Sequence, residues 1–174
     1  MRIGTFALFI GIAYLSAGLL GLIPAALNPP PPDAPPTRFG VLYGYLGGVF
    51  AVNILHSVVH VIIGVWGIAA WHGHSLRNLK LYARTLAVLY GVLAVLGLIP
   101  EANTLFGLLP LHGHDVWLHA GTAALAAYFG WRSEEAVEIE RRSAEDTDRR
   151  ERVMPVQRER RLGHADRRAP GSEV

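Results

Sequence analysis

The fold is decided by the stretch from residue 3 to residue 24, which reads IGTFALFIGIAYLSAGLLGLIP. It contains no charged side chain and ends at a proline. Roughly 20 apolar residues in a helix cross about 30 Å of hydrocarbon, and a helix satisfies its own backbone hydrogen bonds there. The stretch therefore predicts a membrane-spanning helix over residues 3–23.

Three further apolar stretches predict three further spans, over residues 51–70, 81–99 and 116–131. The third has only Arg84 near its start and stops at Pro100, and the fourth is short for a full crossing. The apolar segments 39–50 and 104–114 are too short to span and rich in glycine or proline, so we expect them to be interfacial or re-entrant. The predicted fold is all-α, an integral membrane four-helix bundle over residues 1–132.

The chain repeats itself at an offset of 76 residues. The sequence LGLIP occurs at residues 20–24 and again at residues 96–100, and Tyr14 aligns with Tyr90. The second spans also correspond, at a shorter offset of 59 residues, with His60 falling on His119. Because each unit crosses twice, we expect two parallel two-helix repeats related by a pseudo-two-fold axis along the membrane normal.

Charge is distributed very unevenly. Residues 1–131 carry eight charged side chains, whereas residues 132–174 carry eleven arginines and eleven acids. Balanced, interleaved signs do not provide the positive surface that nucleic acid requires, which excludes nucleic acid as a partner. So polar a segment cannot bury enough apolar surface to fold alone. We expect residues 133–174 to form a charged, largely disordered tail that can dock a cytoplasmic protein partner.

The basic residues near the span ends predict the orientation. Arg2, the loop with Arg77, Lys80 and Arg84, and the tail fall on one side of a four-span chain, and only Arg38 falls on the other. Cytoplasmic loops carry the excess of Lys and Arg. We therefore expect a multi-pass protein of the cell membrane with both termini in the cytoplasm.

Four segments carry a resemblance to a known family: the Gly-Leu-Ile-Pro that ends the first span, Asn53 to His60, residues 81–84 (LYAR) and residues 108–119 (LLPLHGHDVWLH). Over roughly residues 5–131 the chain resembles the bacterial family catalogued as domain of unknown function 4383. The resemblance implies a four-span bacterial membrane protein. It brings no activity, substrate or cofactor.

Side chains that can bind metals collect at the predicted outer ends of the second and fourth spans. They are His56, His60, His112, His114, Asp115 and His119. The pairs His56/His60 and Asp115/His119 have i, i+4 spacing, which places two donors on one helical face. Three imidazoles and a carboxylate suit zinc, iron or similar ions. The candidate metal ligands are therefore His56, His60, Asp115 and His119, with His112 and His114 as further candidates.

Three other interpretations of these residues stay open at this point. The histidines can hydrogen-bond across helices and fix the bundle's register, a contribution of roughly 0.6 to 2 kcal/mol each. His60 and His119 can instead be axial ligands to a haem between the helices. Histidine also titrates near neutral pH, which allows a protonation switch or a proton path.

The function expected from the sequence follows from what the chain lacks. It has no cysteine, no Gly-x-Ser-x-Gly turn and no phosphate-binding Gly-Lys loop, so no catalytic residues are identified. We expect a non-enzymatic structural or interaction protein of the cell membrane, without a cofactor, embedded in the lipid bilayer and able to form a homo-oligomer. The alternative is a metal- or haem-binding membrane protein in redox or transport work. The third is a small transporter or a proton- or pH-responsive protein.

Overall fold

The computed structural model describes residues 2–131 and 141–150. The chain divides into two compact units, Met1–Trp131 and Arg132–Val174. The first unit is mostly helical. Most of the predicted disordered tail, residues 133–140 and 151–174, lies outside the described residues.

Four long helices occupy the predicted apolar segments: α1 (Ile3–Gly21), α2 (Ile54–His72), α3 (Leu76–Gly97) and α4 (His114–Trp131). α1 ends just before Pro24, which begins a short 3₁₀ turn, Pro24–Ala26. α3 begins at Leu76 instead of residue 81. Arg77 and Lys80 favour helix even though they mark the limit of the apolar run. The apolar runs thus predicted where the helices lie, but not the residues at which they begin and end.

A small antiparallel sheet precedes α2, so the prediction of an all-α fold was wrong here. Its strands, in the order β1-β2-β3, are β1 (Leu27–Asn28), β2 (Gly44–Leu46) and β3 (Phe50–Val52). Gly47 and Gly48 lie in the left-handed region, with φ of +60° and +73°, and turn the chain between β2 and β3. Segment 39–50, predicted as interfacial or re-entrant, therefore contains a hairpin. The hairpin also explains why α2 starts at Ile54 rather than at residue 51.

Glycines let the first two helices approach closely. A Cβ atom placed on Gly11 would lie 3.0 Å from the carbonyl oxygen of Gly64 and 2.9 Å from the backbone nitrogen of Ile68. One on Gly18 would lie 2.7 Å from the carbonyl oxygen of Ser57. Helices in lipid associate through such backbone contacts, because lipid tails are as apolar as leucine. Gly11 and Gly18 therefore mark the places where α1 and α2 pack backbone against backbone.

The core of this unit is aromatic. Phe6 of α1 stacks on Phe129 of α4 with ring centroids 4.8 Å apart. Tyr82 and Leu86 of α3 are completely buried in the same cluster. These contacts bring α1, α3 and α4 together around one core.

Three helices in the described part of the chain, α1, α2 and α3, are long and apolar enough to cross a membrane, which suggests a membrane protein. Large apolar side chains also point outward, as Phe9, Ile62 and Val88 do, each at least 60% exposed. α4 is not among these helices, although it has 18 residues. His114, Asp115 and His119 lower its hydropathy.

Residues 141–150 of the second unit are helical and exposed. Arg141 and Glu145 are 3.5 Å apart, and Asp146 and Arg150 are 2.9 Å apart, each pair at i, i+4 spacing. Exposed pairs of this kind contribute only a few tenths of a kcal/mol. These ten residues are helical, whereas the tail as a whole was predicted to be largely disordered.

Candidate metal centre

Three histidines meet inside the helical unit. His56 and His60 lie one turn apart on α2, and His119 approaches them from α4. One nitrogen from each ring lies within 4.8 Å of the other two. All three side chains are at most 5% exposed. Two helices that are distant in sequence thus bring three imidazoles to one buried point.

Several nitrogens of these rings have no hydrogen-bond partner among the described residues. They are Nδ1 of His56, Nδ1 of His60 and both ring nitrogens of His119. A buried polar atom without a partner costs about 1–3 kcal/mol, so such atoms are uncommon without a reason. A neutral imidazole with a free nitrogen lone pair is also the form that binds metal ions. The cluster therefore has the chemistry of a ligand set.

Two tyrosines pack against the cluster. The Tyr14 ring lies 4.9 Å from the His60 ring, and the Tyr90 ring lies 5.1 Å from the His119 ring. The Tyr14 hydroxyl forms a 2.8 Å hydrogen bond with the Thr122 hydroxyl. Neither tyrosine was predicted to belong to the site, although Tyr14 and Tyr90 are equivalent positions of the 76-residue repeat.

Asn53 positions the start of α2. Its Oδ1 atom accepts a 2.9 Å hydrogen bond from the backbone nitrogen of His56, which is the usual way to cap a helix. Its Nδ2 atom donates to the carbonyl oxygens of Phe39 at 3.1 Å and Leu108 at 2.8 Å. Asn53 therefore ties His56 to both connecting segments, the one before α2 and the one before α4.

The other predicted ligands lie outside the three-histidine group. Asp115 is 1% exposed, and its Oδ2 atom has no hydrogen-bond partner among the described residues. It lines a cavity together with Tyr14 and His60. Its position one turn before His119 leaves it beside the cluster.

His112 and His114, the two further candidates, also lie outside the group of His56, His60 and His119. His112 is half-buried in the segment before α4, with its ring 6.3 Å from that of Tyr45, and this burial lowers its pKa. His114 is exposed at the start of α4. Neither belongs to the histidine cluster found within residues 2–131.

A family model matches residues 5–132, and its description reads "Domain of unknown function (DUF4383)". The chain belongs to this family. The matched region contains α1 except its first two residues, the sheet, α2 to α4 and all three clustered histidines, and it ends where the second unit begins. The family description names no activity. No curated protein and no solved structure is similar to the chain.

Proposed function

We propose that this chain is an integral membrane protein that binds a transition-metal ion through His56, His60 and His119. The observation that carries the proposal is the convergence of three buried imidazoles whose nitrogens lie within 4.8 Å of one another. Imidazole suits zinc, copper, iron and nickel. Three protein ligands also leave a position for a further group, as in many zinc sites.

The proposed site requires a small closure around the ion. Zinc holds histidine nitrogens at about 2.0–2.1 Å in a tetrahedron, which puts the nitrogens about 3.4 Å apart. The 4.8 Å spread exceeds this by about 1.4 Å, a gap that rotation of the imidazoles about their side-chain bonds can close. Asp115, one turn before His119 and buried with a free carboxylate oxygen, is the candidate for a fourth ligand.

The surroundings favour an ion over a haem. A porphyrin between His60 and His119 would need a wide, flat slot on every side of their nitrogens. The His56 ring lies 4.4 Å from the His60 ring and 6.0 Å from the His119 ring. Tyr14 and Tyr90 flank the other sides. The rings of His56, Tyr14 and Tyr90 leave space for an ion and little for a macrocycle.

The free nitrogens favour a metal site over a purely structural role. If the histidines served only to cross-link helices, their ring nitrogens would be expected to donate and accept hydrogen bonds, as buried polar atoms usually do. Both nitrogens of His119 have no such partner among the described residues. A bound ion would satisfy one of them, the nitrogen that carries the lone pair.

We also propose that the four helices form a transmembrane bundle of two parallel repeats. Tyr14 and Tyr90, equivalent at the 76-residue offset, lie 5.1 Å apart, and each packs on one histidine of the pair His60 and His119. Within each repeat the two helices pack together, α1 with α2 and α3 with α4. These contacts support a pseudo-two-fold axis close to the metal site.

In this arrangement α4 crosses the membrane beside α3, with its polar first turns buried inside the bundle. The chain would then lie in the cell membrane with both termini in the cytoplasm, as the distribution of Lys and Arg indicates. The metal site would lie near the outer surface. A site at that depth suits capture or redox work on an ion that arrives from outside the cell.

Metal content measured by element-resolved mass spectrometry tests the proposal. The samples are full-length protein purified in detergent, as wild type, His60→Ala, His119→Ala and His72→Ala. His72 is exposed at the opposite end of α2, so its replacement is the matched control. We expect close to one metal ion per chain in the wild type and the control, and loss of that metal in the other two variants. Equal metal content in all four samples, or none in any, would overturn the proposal.

A further inference from the structure

A half-open cavity of about 490 Å³ lies beside the histidine cluster. Its walls come from α1, from the β2–β3 hairpin, and from the first turns of α2 and α4. Most of its lining is apolar: Ala13, Ala17, Leu20, Leu46, Val49, Phe50, Val52 and Leu118. A volume of this size is typical of small-molecule sites.

The mouth of the cavity opens sideways along α1. Ala13, Ser16 and Leu20 line it and are exposed on the surface of α1, and Leu118 is exposed on α4. Residues 13–20 extend over about 10 Å of the helix axis. Because α1 is long and apolar enough to cross a membrane, a mouth on its surface is open to molecules dissolved in the lipid phase.

The inner end of the cavity is polar. Asp115 and His60 line it, at 1% and 5% exposure, and the Oδ2 atom of Asp115 and the Nδ1 atom of His60 have no hydrogen-bond partner among the described residues. The Tyr14 hydroxyl also lines it but is already bonded to Thr122. A ligand with one polar group at this end and an otherwise apolar body would therefore match the lining of the cavity.

The chemistry of these two atoms selects the kind of polar group that fits. A hydroxyl both donates and accepts, so one hydroxyl can donate to the Asp115 carboxylate and accept from the His60 ring. A plain acyl chain would leave both atoms unsatisfied. A phosphate headgroup would bury a negative charge at the end of an apolar cavity without a positive partner, which is costly. A lipid-soluble alcohol or phenol avoids both costs.

We infer that this cavity binds a lipid-soluble hydroxyl compound, with its apolar chain or ring along α1 and its hydroxyl between Asp115 and His60. The inference goes beyond the proposed metal site. It shares His60, and Asp115 as the candidate fourth ligand, with that site but does not require the ion.

Photolabelling of the full chain in phospholipid nanodiscs tests this inference. The probe is 1-dodecanol with a diazirine at mid-chain, and labelled peptides are mapped by mass spectrometry. We expect labelling within residues 13–20 and 46–52. Unlabelled 1-dodecanol should compete at least about tenfold better than dodecyl methyl ether, which lacks the hydroxyl donor, because the ether leaves the Oδ2 atom of Asp115 without a hydrogen bond; tenfold corresponds to about 1.4 kcal/mol.

Variants separate the cavity from the general lipid surface. Ala17→Trp fills the mouth and should abolish the labelling, whereas Val88→Trp, on an exposed position of α3 outside the lining, should leave it unchanged. Asp115→Leu should retain labelling but lose the preference for the alcohol. Labelling spread over all exposed helix faces, or equal competition by the alcohol and the ether in the wild type, would overturn the inference.

Repeating the experiment after treatment with a chelator keeps this inference separate from the metal site. We expect the same labelled peptides in metal-free protein. A protein that binds no metal but is labelled in the cavity would contradict the metal proposal alone. A protein that binds metal but shows no selective labelling would contradict this inference alone.

Discussion

At the scale of single residues, Asn53 links three separate parts of the chain. Its amide contacts the backbone of α2, the segment before α2 and the segment before α4. Its side chain is completely buried, and its bond to the backbone of α2 is buried as well. The position of His56, and with it the shape of the histidine cluster, depends on this side chain.

Replacing Asn53 by Ala should therefore lower stability and weaken metal binding together. Loss of one helix cap and two partly buried hydrogen bonds should cost about 2–4 kcal/mol in the free energy of unfolding. Thermal unfolding in detergent measures the first effect, and metal content measures the second. Asn78→Ala, at an exposed position of α3, is the control and should change neither. If Asn53→Ala unfolds at the wild-type temperature, Asn53 does not have the role described.

The residues of the site could be predicted only in part from the sequence. The i, i+4 spacing put His56 and His60 on one face of α2, and the repeat paired His60 with His119. The separation of Asp115 from the cluster could not be foreseen, because it depends on the rotation of α4 about its own axis. Tyr14 and Tyr90 were missed because a tyrosine in an apolar helix has no spacing that distinguishes a site neighbour from a core residue.

At the scale of elements, helices were predictable and strands were not. An apolar run of about 20 residues is a strong signal for a helix, and α1 follows it from Ile3 to Gly21. The strands of the sheet have only two or three residues, too few to establish an alternating pattern. The turn residues Gly47 and Gly48 were the available signal for the hairpin.

Close helix packing makes a testable difference between glycines. Gly11→Ala should destabilise the protein by about 1–3 kcal/mol, because the new methyl group would meet only backbone atoms of α2, which cannot move aside. Gly121→Ala in α4 has nothing within 4 Å of the new methyl group. It should leave stability unchanged or raise it by up to about 1 kcal/mol, the helix propensity gained. Chemical or thermal unfolding of both variants measures the difference, and equal effects would contradict the packing described.

At the scale of the whole molecule, the number of crossings decides on which side of the membrane the C-terminal end of the chain lies. α1, α2 and α3 have the length and composition to cross a membrane, whereas α4 depends on burying its polar first turns against the rest of the bundle. With four crossings both ends of the chain lie on one side. With three crossings they lie on opposite sides.

Reporter fusions distinguish these two arrangements. We expect a fluorescent protein fused to the C-terminus to fluoresce, and alkaline phosphatase fused there to be inactive, since that end is predicted to be cytoplasmic. The control is the same pair of reporters fused after Pro100, in the segment between α3 and α4, where the opposite result is expected. An active phosphatase at the C-terminus would mean that α4 does not cross.

The most direct measurement on the central claim is X-ray absorption at the zinc edge of zinc-loaded, full-length protein. The proposed site predicts three imidazoles at about 2.0–2.1 Å from the ion in the wild type, and two in His119→Ala. The second ligand type, carboxylate or water, would appear in both spectra. Zinc surrounded by oxygen alone, with the same spectrum in His119→Ala, would contradict the assignment of His56, His60 and His119 as its ligands.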